Sequence, residues 1–169
     1  MKNNFMKILT ALILCLCITI AQADLSDDAL SAINRADYAT AFRMFRSLAE
    51  TGDADAQYNL ALMYRQGQGT PQDYLEAMKW FRLAAEQGDA KAQYNLSSMY
   101  GTGQGAPQDH AEALKWCRLA AAQGVADSQY KLDSIYDKGR GTPQDYAGAL
   151  KWYRLVAEEV DTCVLGGKQ

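Results

Sequence analysis

Apolar positions along this chain recur with the spacing of an α-helix. With Trp80 set at 0° and about 100° per residue, Ala84, Ala77, Phe81, Tyr74, Ala85 and Met78 fill an arc of roughly 40–160°. Arg82, Glu86, Lys79 and Glu76 occupy the rest of the circle, with Leu83 standing among them. The following stretch, AQYNLSSMY, places Ala92, Leu96, Met99 and Tyr100 on one stripe of a second helix. No segment alternates with period two over a useful length, so the pattern predicts an all-α chain without strands.

The pair of helices returns. Residues 73–108 reappear as 109–144 with 21 identities in 36 positions and no insertion or deletion, and begin again as a partial copy at 145–159. A looser copy occupies 37–72. Self-similarity at a fixed period is the mark of a repeat array. Thr70-Pro71-Gln72-Asp73 reads as a helix start, with Thr70 as N-cap, Pro71 at the first helical position and an acid after it. Ala106 lacks that hydroxyl, an expected local loss of about 1 kcal/mol. Gly52, Gly88 and Gly124 end the first helix of each copy, and Asp53 and Asp89 cap the second, where the third copy has Val125. Gly103 and Gly105 mark the turn back. Alanines beside large aromatics allow close helix approach, and one pair alone cannot bury both of its faces, so the copies are expected to stack.

Two flanking segments complete the array. Residues 24–36, DLSDDALSAINRA, predict a lead-in helix whose Leu25, Ala29, Leu30 and Ile33 cover the first copy. After DYAGALKWYRLVAEE the chain departs from the pattern, and residues 160–169 form a divergent tail. The final first-type helix therefore lacks a polar cap, and self-association through it is a candidate property.

The first 23 residues change the compartment. Lys2 and Lys7 precede an apolar run from Ile8 to Ile20, and Ala21-Gln22-Ala23 fits a cleavage site before Asp24. Thirteen apolar residues span about 20 Å as a helix, short of the roughly 30 Å hydrocarbon core, so residues 1–23 read as a signal peptide and the chain as periplasmic or secreted. Removing Lys2 and Lys7 from 17 basic residues leaves 15 against 20 acidic ones, a net charge of −5. An acidic chain with dispersed cations has no footprint for nucleic acid, and no membrane span is expected after cleavage. Cys117 and Cys163 remain. Cys117 takes the column of Phe45, Phe81 and Tyr153 and reads as a small buried hydrophobe; pairing with Cys163 stays open.

Reactive constellations are scarce. His110 is the sole histidine and takes the column of Tyr38, Tyr74 and Tyr146, so no zinc cluster or cysteine–histidine pair assembles. Ser128-Gln129-Tyr130-Lys131 matches S-x-x-K, but S-D-N and K-T-G are absent, and both residues fall in columns filled elsewhere by Ala and Asn. The Gly-x-Gly turns follow helices and carry no Gly-Lys-Ser/Thr. Adjacent Glu158 and Glu159 point apart on a helix. No catalytic residue, metal or cofactor is expected.

AEALKWCRLAAAQG, DAKAQYNLSSMY and GQGTPQDY together resemble the Sel-one-like repeat branch of the tetratricopeptide class, over residues 37 to about 159. The resemblance implies a right-handed α-α superhelix, a solenoid of helix pairs that binds other proteins. It further implies roles such as host interaction or cell-envelope and cell-wall processes, which are associated with some exported members. A cysteine-rich subgroup with penicillin-binding or β-lactamase activity has paired cysteines in each repeat, which this chain lacks. A cell-wall enzyme, or a modulator of a wall hydrolase, is the alternative function.

In such stacks the first helices line the concave side, and here they carry a regular relief. Arg46, Arg82, Arg118 and Arg154 fall one per copy. Arg43, Lys79, Lys115 and Lys151 form a second column, and Leu83, Leu119 and Leu155 a third. This candidate stripe suits an extended acidic or C-terminal peptide, each arginine offering a fork to carboxylates. Against it stands a merely solvated face on which each cation meets Glu76, Glu86 or Glu112 of its own helix.

Overall fold

The computed structural model describes residues 24–138. A helix at 24–34, here α1, is followed by α2 (Tyr38–Glu50), α3 (Ala54–Gln66), α4 (Tyr74–Glu86), α5 (Ala90–Thr102), α6 (His110–Ala122) and α7 (Ala126–Lys138). Among the described residues there is no strand. Successive helices from α2 to α7 each pack on the next, so the copies stack in chain order as an α-α solenoid.

Aspartates begin five of these helices. Asp73 Oδ1 accepts from the backbone N–H of Leu75 (2.9 Å) and Glu76 (3.0 Å), and Asp109 does the same for Ala111 and Glu112. Asp37 caps α2, and Asp53 and Asp89 cap α3 and α5 as the spacing predicts. The expectation that Thr70 is the N-cap is therefore wrong. Residues 71–73 precede the helix, and the nearer carboxylate holds the orphan N–H groups. Ala106 consequently costs α6 no cap. The loop residues close the preceding helix instead: Gln72 Nε2 donates to Arg65 O (2.7 Å) and Asp73 N–H to Tyr64 O (2.9 Å).

The helices end as their glycines dictate. Gly52, Gly88 and Gly124 have positive φ just beyond α2, α4 and α6, while Gly67 and Gly103 are the left-handed C-caps of α3 and α5. The second glycine of each turn has a further reason. A Cβ on Gly69 or Gly105 would lie 2.2 or 2.4 Å from the carbonyl oxygen of Tyr38 or Tyr74, so the turn lies directly on the start of the first helix of its own copy.

Phe81, Ala77, Ala84, Leu96 and Met99 are fully or almost fully buried in the central core, with Trp80 half-buried against it and the neighbouring core. Cys117 is fully buried in the Phe81 column, as its column implied, and its thiol donates to Ser128 O at 3.3 Å. Ala29 and Ala32 of α1 are buried against Ala41 and Phe45, with Leu25 and Ile33 partly covered. Leu30, expected to face the same core, is 43% exposed; Ala32 takes the inward place because it lies three residues after Ala29.

A polar spine, which the apolar pattern concealed, joins the copies. Gln57, Gln93 and Gln129 are buried, and each Nε2 donates to the end of the preceding helix, at Ala49 O (3.2 Å), Ala85 O (3.1 Å) and Ala121 O (3.4 Å). The next copy then reaches back: Gln87 Nε2 donates to Gln57 Oε1 (2.7 Å), and Gln123 Nε2 to Gln93 Oε1 (2.9 Å). These bonds tie each copy to the next through buried polar groups that would otherwise be left unsatisfied.

Candidate functional site

The exposed face of α2, α4 and α6 carries the predicted stripe. Leu83 and Leu119 are 43% and 45% exposed, and Leu75, which the column reading passed over, is 56% exposed. A single exposed leucine is ordinary on a protein surface; Leu75 and Leu83 are notable because both stand on α4.

Each cation has its own surroundings. Arg46 Nε pairs with Glu50 at 3.0 Å, Lys79 with Glu76, and Lys115 with Glu112 at 3.4 Å. Lys115 also lies 5.5 Å from the Trp116 ring centre. These pairs are exposed and screened by solvent, and to that extent the solvated-face reading holds for them. Arg43 bonds within its own helix, to Ala39 O and Thr40 Oγ1.

Arg82 differs. Among the described residues it forms no ion pair with a carboxylate. Its Nη2 donates to Tyr100 Oη, 18 residues on, and its guanidinium carbon stands 5.8 Å from the centre of the same ring. Tyr100 is 8% exposed and belongs to the core, so one edge of the guanidinium is held by a rigid partner. The remaining N–H groups keep their donor capacity and their charge.

Beside Arg82 lies a hollow of about 480 Å³ lined by Leu75, Met78, Lys79, Arg82, Leu83, Gly105 and Ala106. It brings together three residues of the predicted stripe, Lys79, Arg82 and Leu83. Its other wall is the turn before α6, which the column reading did not include. The signal for Tyr100 was present in the sequence, because arginine and tyrosine columns share the 36-residue period. A smaller hollow of about 340 Å³ lies between α1 and α2, lined by Leu25, Thr40, Arg43, Met44 and Ser47. Arg118 belongs to α6, whereas Lys151, Arg154 and Leu155 lie outside the described residues, as do Cys163 and the leader.

A second polar group lies inside the stack. At the junction of α3, α4 and α5, Arg65 donates to Asn95 Oδ1 and stands 5.6 Å from the Phe81 ring centre, with Tyr58 5.8 Å from the same ring. One copy later the equivalents are Gly101, Lys131, Cys117 and Tyr94. Here the cation comes from the other side: Lys131 Nζ lies 5.3 Å from the Tyr94 ring centre. The buried atoms Lys131 Nζ, Ser97 Oγ and Ser128 Oγ have no hydrogen-bond partner. Burial pushes the Lys131 amine down and the Cys117 thiol up from their usual ranges.

Ser128 is fully buried, and its hydroxyl is not bonded to Lys131. The S-x-x-K match therefore has neither an accessible nucleophile nor a hydrogen bond to a base, both of which nucleophilic catalysis needs. His110 opens α6 where Tyr38 and Tyr74 open α2 and α4. Among the described residues no group of His, Cys, Asp and Glu is arranged to hold a metal ion, and no helix is long and apolar enough to cross a membrane.

The Sel1 repeat family model matches residues 54–89, 90–125 and 126–161, the same 36-residue period started one helix later. The crystal structure of a Sel1 repeat protein from Oxalobacter formigenes is 33% identical with a TM-score of 0.73, over 79% of this chain and 55% of that one. A protective antigen of uropathogenic Escherichia coli, c5321, which displays an SLR fold, is 34% identical with a TM-score of 0.78, over 82% of this chain and 30% of that one. This chain thus corresponds to about half and under a third of those two proteins. Helicobacter pylori cysteine-rich protein B shares the fold alone, at 17% identity and a TM-score of 0.53, over 63% of this chain and 96% of that one. No curated protein matches.

Proposed function

The chain belongs to the Sel1 repeat family, whose members generally act through protein–protein interaction, and from that premise we propose that it is an exported, non-enzymatic binding scaffold. Its partner is a protein or peptide that docks across the first helices of successive copies. The observation that carries this reading is the hollow beside Arg82, where exposed leucines surround a guanidinium without a carboxylate partner. A preformed surface on stacked helices binds without ordering a loop, so little conformational entropy opposes association. Export is supported by the leader pattern of residues 1–23, and places the partner in the periplasm or outside the cell.

The test is crosslinking and capture from the native envelope with the purified chain as bait, followed by the Arg82→Glu/Arg118→Glu double variant. Lost capture of the identified partner at unchanged helicity supports docking on this face. Undiminished capture overturns it.

A further inference from the structure

We propose that the junction of α5, α6 and α7 is a buried site for one halide ion, chloride in practice, held by Lys131 Nζ and the hydroxyls of Ser97 and Ser128. Both serines are fully buried inside the stack, so the inference stands apart from the docking face proposed above.

Two equivalent junctions differ in what surrounds their centre. Around Phe81 stand Ala61, Ala92, Asn95, Tyr58 and Arg65. One copy later Cys117 takes the place of Phe81, and Ser97, Ser128, Lys131, Tyr94 and Gly101 take the others in that order. A phenyl ring gives way to a thiol, and a guanidinium chain to no side chain at all. Two methyl groups become hydroxyls, and an amide becomes an amine. Polar atoms thus replace packed apolar ones. In the earlier junction the polar pair is satisfied, because Arg65 donates to Asn95 Oδ1. In the later one Ser97 Oγ, Ser128 Oγ and Lys131 Nζ are buried without a hydrogen-bond partner.

The chemistry of these three groups selects the guest. They stand on α5 and α7 around Cys117 of α6, whose thiol donates to Ser128 O at 3.3 Å. Burial raises that thiol's pKa, and the Lys131 charge and the Ser97 hydroxyl both act against the rise, as groups close to it do. All three orphans can donate a hydrogen bond, and the amine alone carries charge. Among the described residues no carboxylate forms an ion pair with Lys131; Asp127, one turn earlier on α7, is exposed. A water molecule would satisfy the hydroxyls but leave a buried charge unopposed, which is costly. One ammonium matches one monovalent anion. A spherical ion accepts from any direction and suits donors on separate helices, whereas a carboxylate or phosphate is best met by donors arranged as a fork. Such an ion ties α5 to α7 across Cys117.

The test compares urea unfolding of the full chain in sodium chloride and in sodium fluoride of equal ionic strength. The proteins are the parent, Lys131→Met and the double variant Ser97→Ala/Ser128→Ala. The double variant restores the alanines of the second copy, so its junction uses residues the fold already packs. Chloride should raise the parent's folding equilibrium constant about fivefold between about 10 and 100 mM, the linkage for a site half-filled at the lower concentration. Fluoride, which is smaller and more strongly hydrated, should not. Lys131→Met should fold in both salts and lose the chloride response, and the double variant should need several-fold more chloride for the same gain. Chlorine-35 nuclear magnetic resonance gives an independent reading. The parent should broaden the chloride line, bromide should sharpen it by competition, and Lys131→Met should leave it narrow. An equal chloride response in the parent and Lys131→Met, an equal response of the parent to both salts, or a chloride line that the parent leaves narrow overturns the proposal.

Discussion

Replacing Gln93 by Leu separates the contribution of the polar spine from that of the apolar core. The side chains are close in size and Gln93 is 4% exposed, so the change removes hydrogen bonds while leaving volume nearly constant. Two bonds are lost, Gln93 Nε2 to Ala85 O (3.1 Å) and Gln123 Nε2 to Gln93 Oε1 (2.9 Å). Neither partner is stranded: Ala85 O still accepts from Gly88 N–H (3.1 Å), and Gln123 Nε2 still reaches Gly88 O (3.1 Å). The full penalty for an orphaned buried group therefore does not apply, and each bond counts at about 0.5–1.5 kcal/mol. The expected destabilisation is about 1–2 kcal/mol in total after the gain from the more apolar leucine. Urea unfolding followed by far-ultraviolet circular dichroism measures it, and a cycle with Gln123→Ala should show a coupling of about 0.5–1 kcal/mol. A Gln93→Leu protein as stable as the parent, or no coupling with Gln123, would refute the claim that the spine stabilises the stack.

The helix starts give a paired test: Asp109→Ala should cost about 0.5–2 kcal/mol, whereas Ala106→Thr should change stability by no more than about 0.5 kcal/mol, both read from denaturant midpoints. At the turns, Gly105→Ala should destabilise well beyond Gly88→Ala by the same assay. Both residues have positive φ, but only at Gly105 does the new Cβ meet a backbone oxygen, at 2.4 Å, with open space at Gly88. Lys131→Met should stabilise the chain at neutral pH, because a buried amine with no hydrogen-bond partner, facing only the Tyr94 ring, is removed. The lowered amine pKa means that the unfolded chain binds the extra proton, so the native penalty fades as pH rises toward the ordinary lysine value of 10.5, and the advantage of methionine should shrink with it. The raised Cys117 thiol acts in the opposite sense, its contribution being complete below pH 9.0 and lost as pH climbs further, and Cys117→Ala separates the two in pH-dependent unfolding curves.

Helix pairs, their glycine ends and the inward faces could be read from the chain because each depends on residues close in sequence. Phe81, Leu96 and Met99 announce their burial by a 3.6-residue rhythm and a 36-residue recurrence. The start of the first helix misled for a local reason, since Thr70 and Asp73 are both good caps three residues apart and only the backbone path chooses between them. Contacts between distant positions were less visible. Gln57 and Gln93 repeat faithfully, but a repeated glutamine looks the same whether it is solvated or buried on a carbonyl. Arg82 and Arg46 share a column, yet one bonds a tyrosine of the second helix and the other a glutamate of its own. The hollow was beyond reach altogether, because its far wall comes from Gly105 and Ala106 in the next turn.

Near-identical copies invite the idea that one of them is dispensable, and the two buried junctions argue otherwise. Excising residues 73–108 would fuse Gln72 to Asp109 without disturbing the period, and the spine would have the same joints to make. The cations, however, approach from opposite sides in the two junctions: Arg65 from the earlier helix toward Asn95, Lys131 from the later one toward Tyr94. In the shortened protein Arg65 and Lys131 would be brought to one partly buried junction beside Cys117, two cations where each junction of the full chain has one. The order of the copies is thus written in charge, and a chain that lost its middle unit by recombination would keep its outline while carrying an electrostatic fault at its centre.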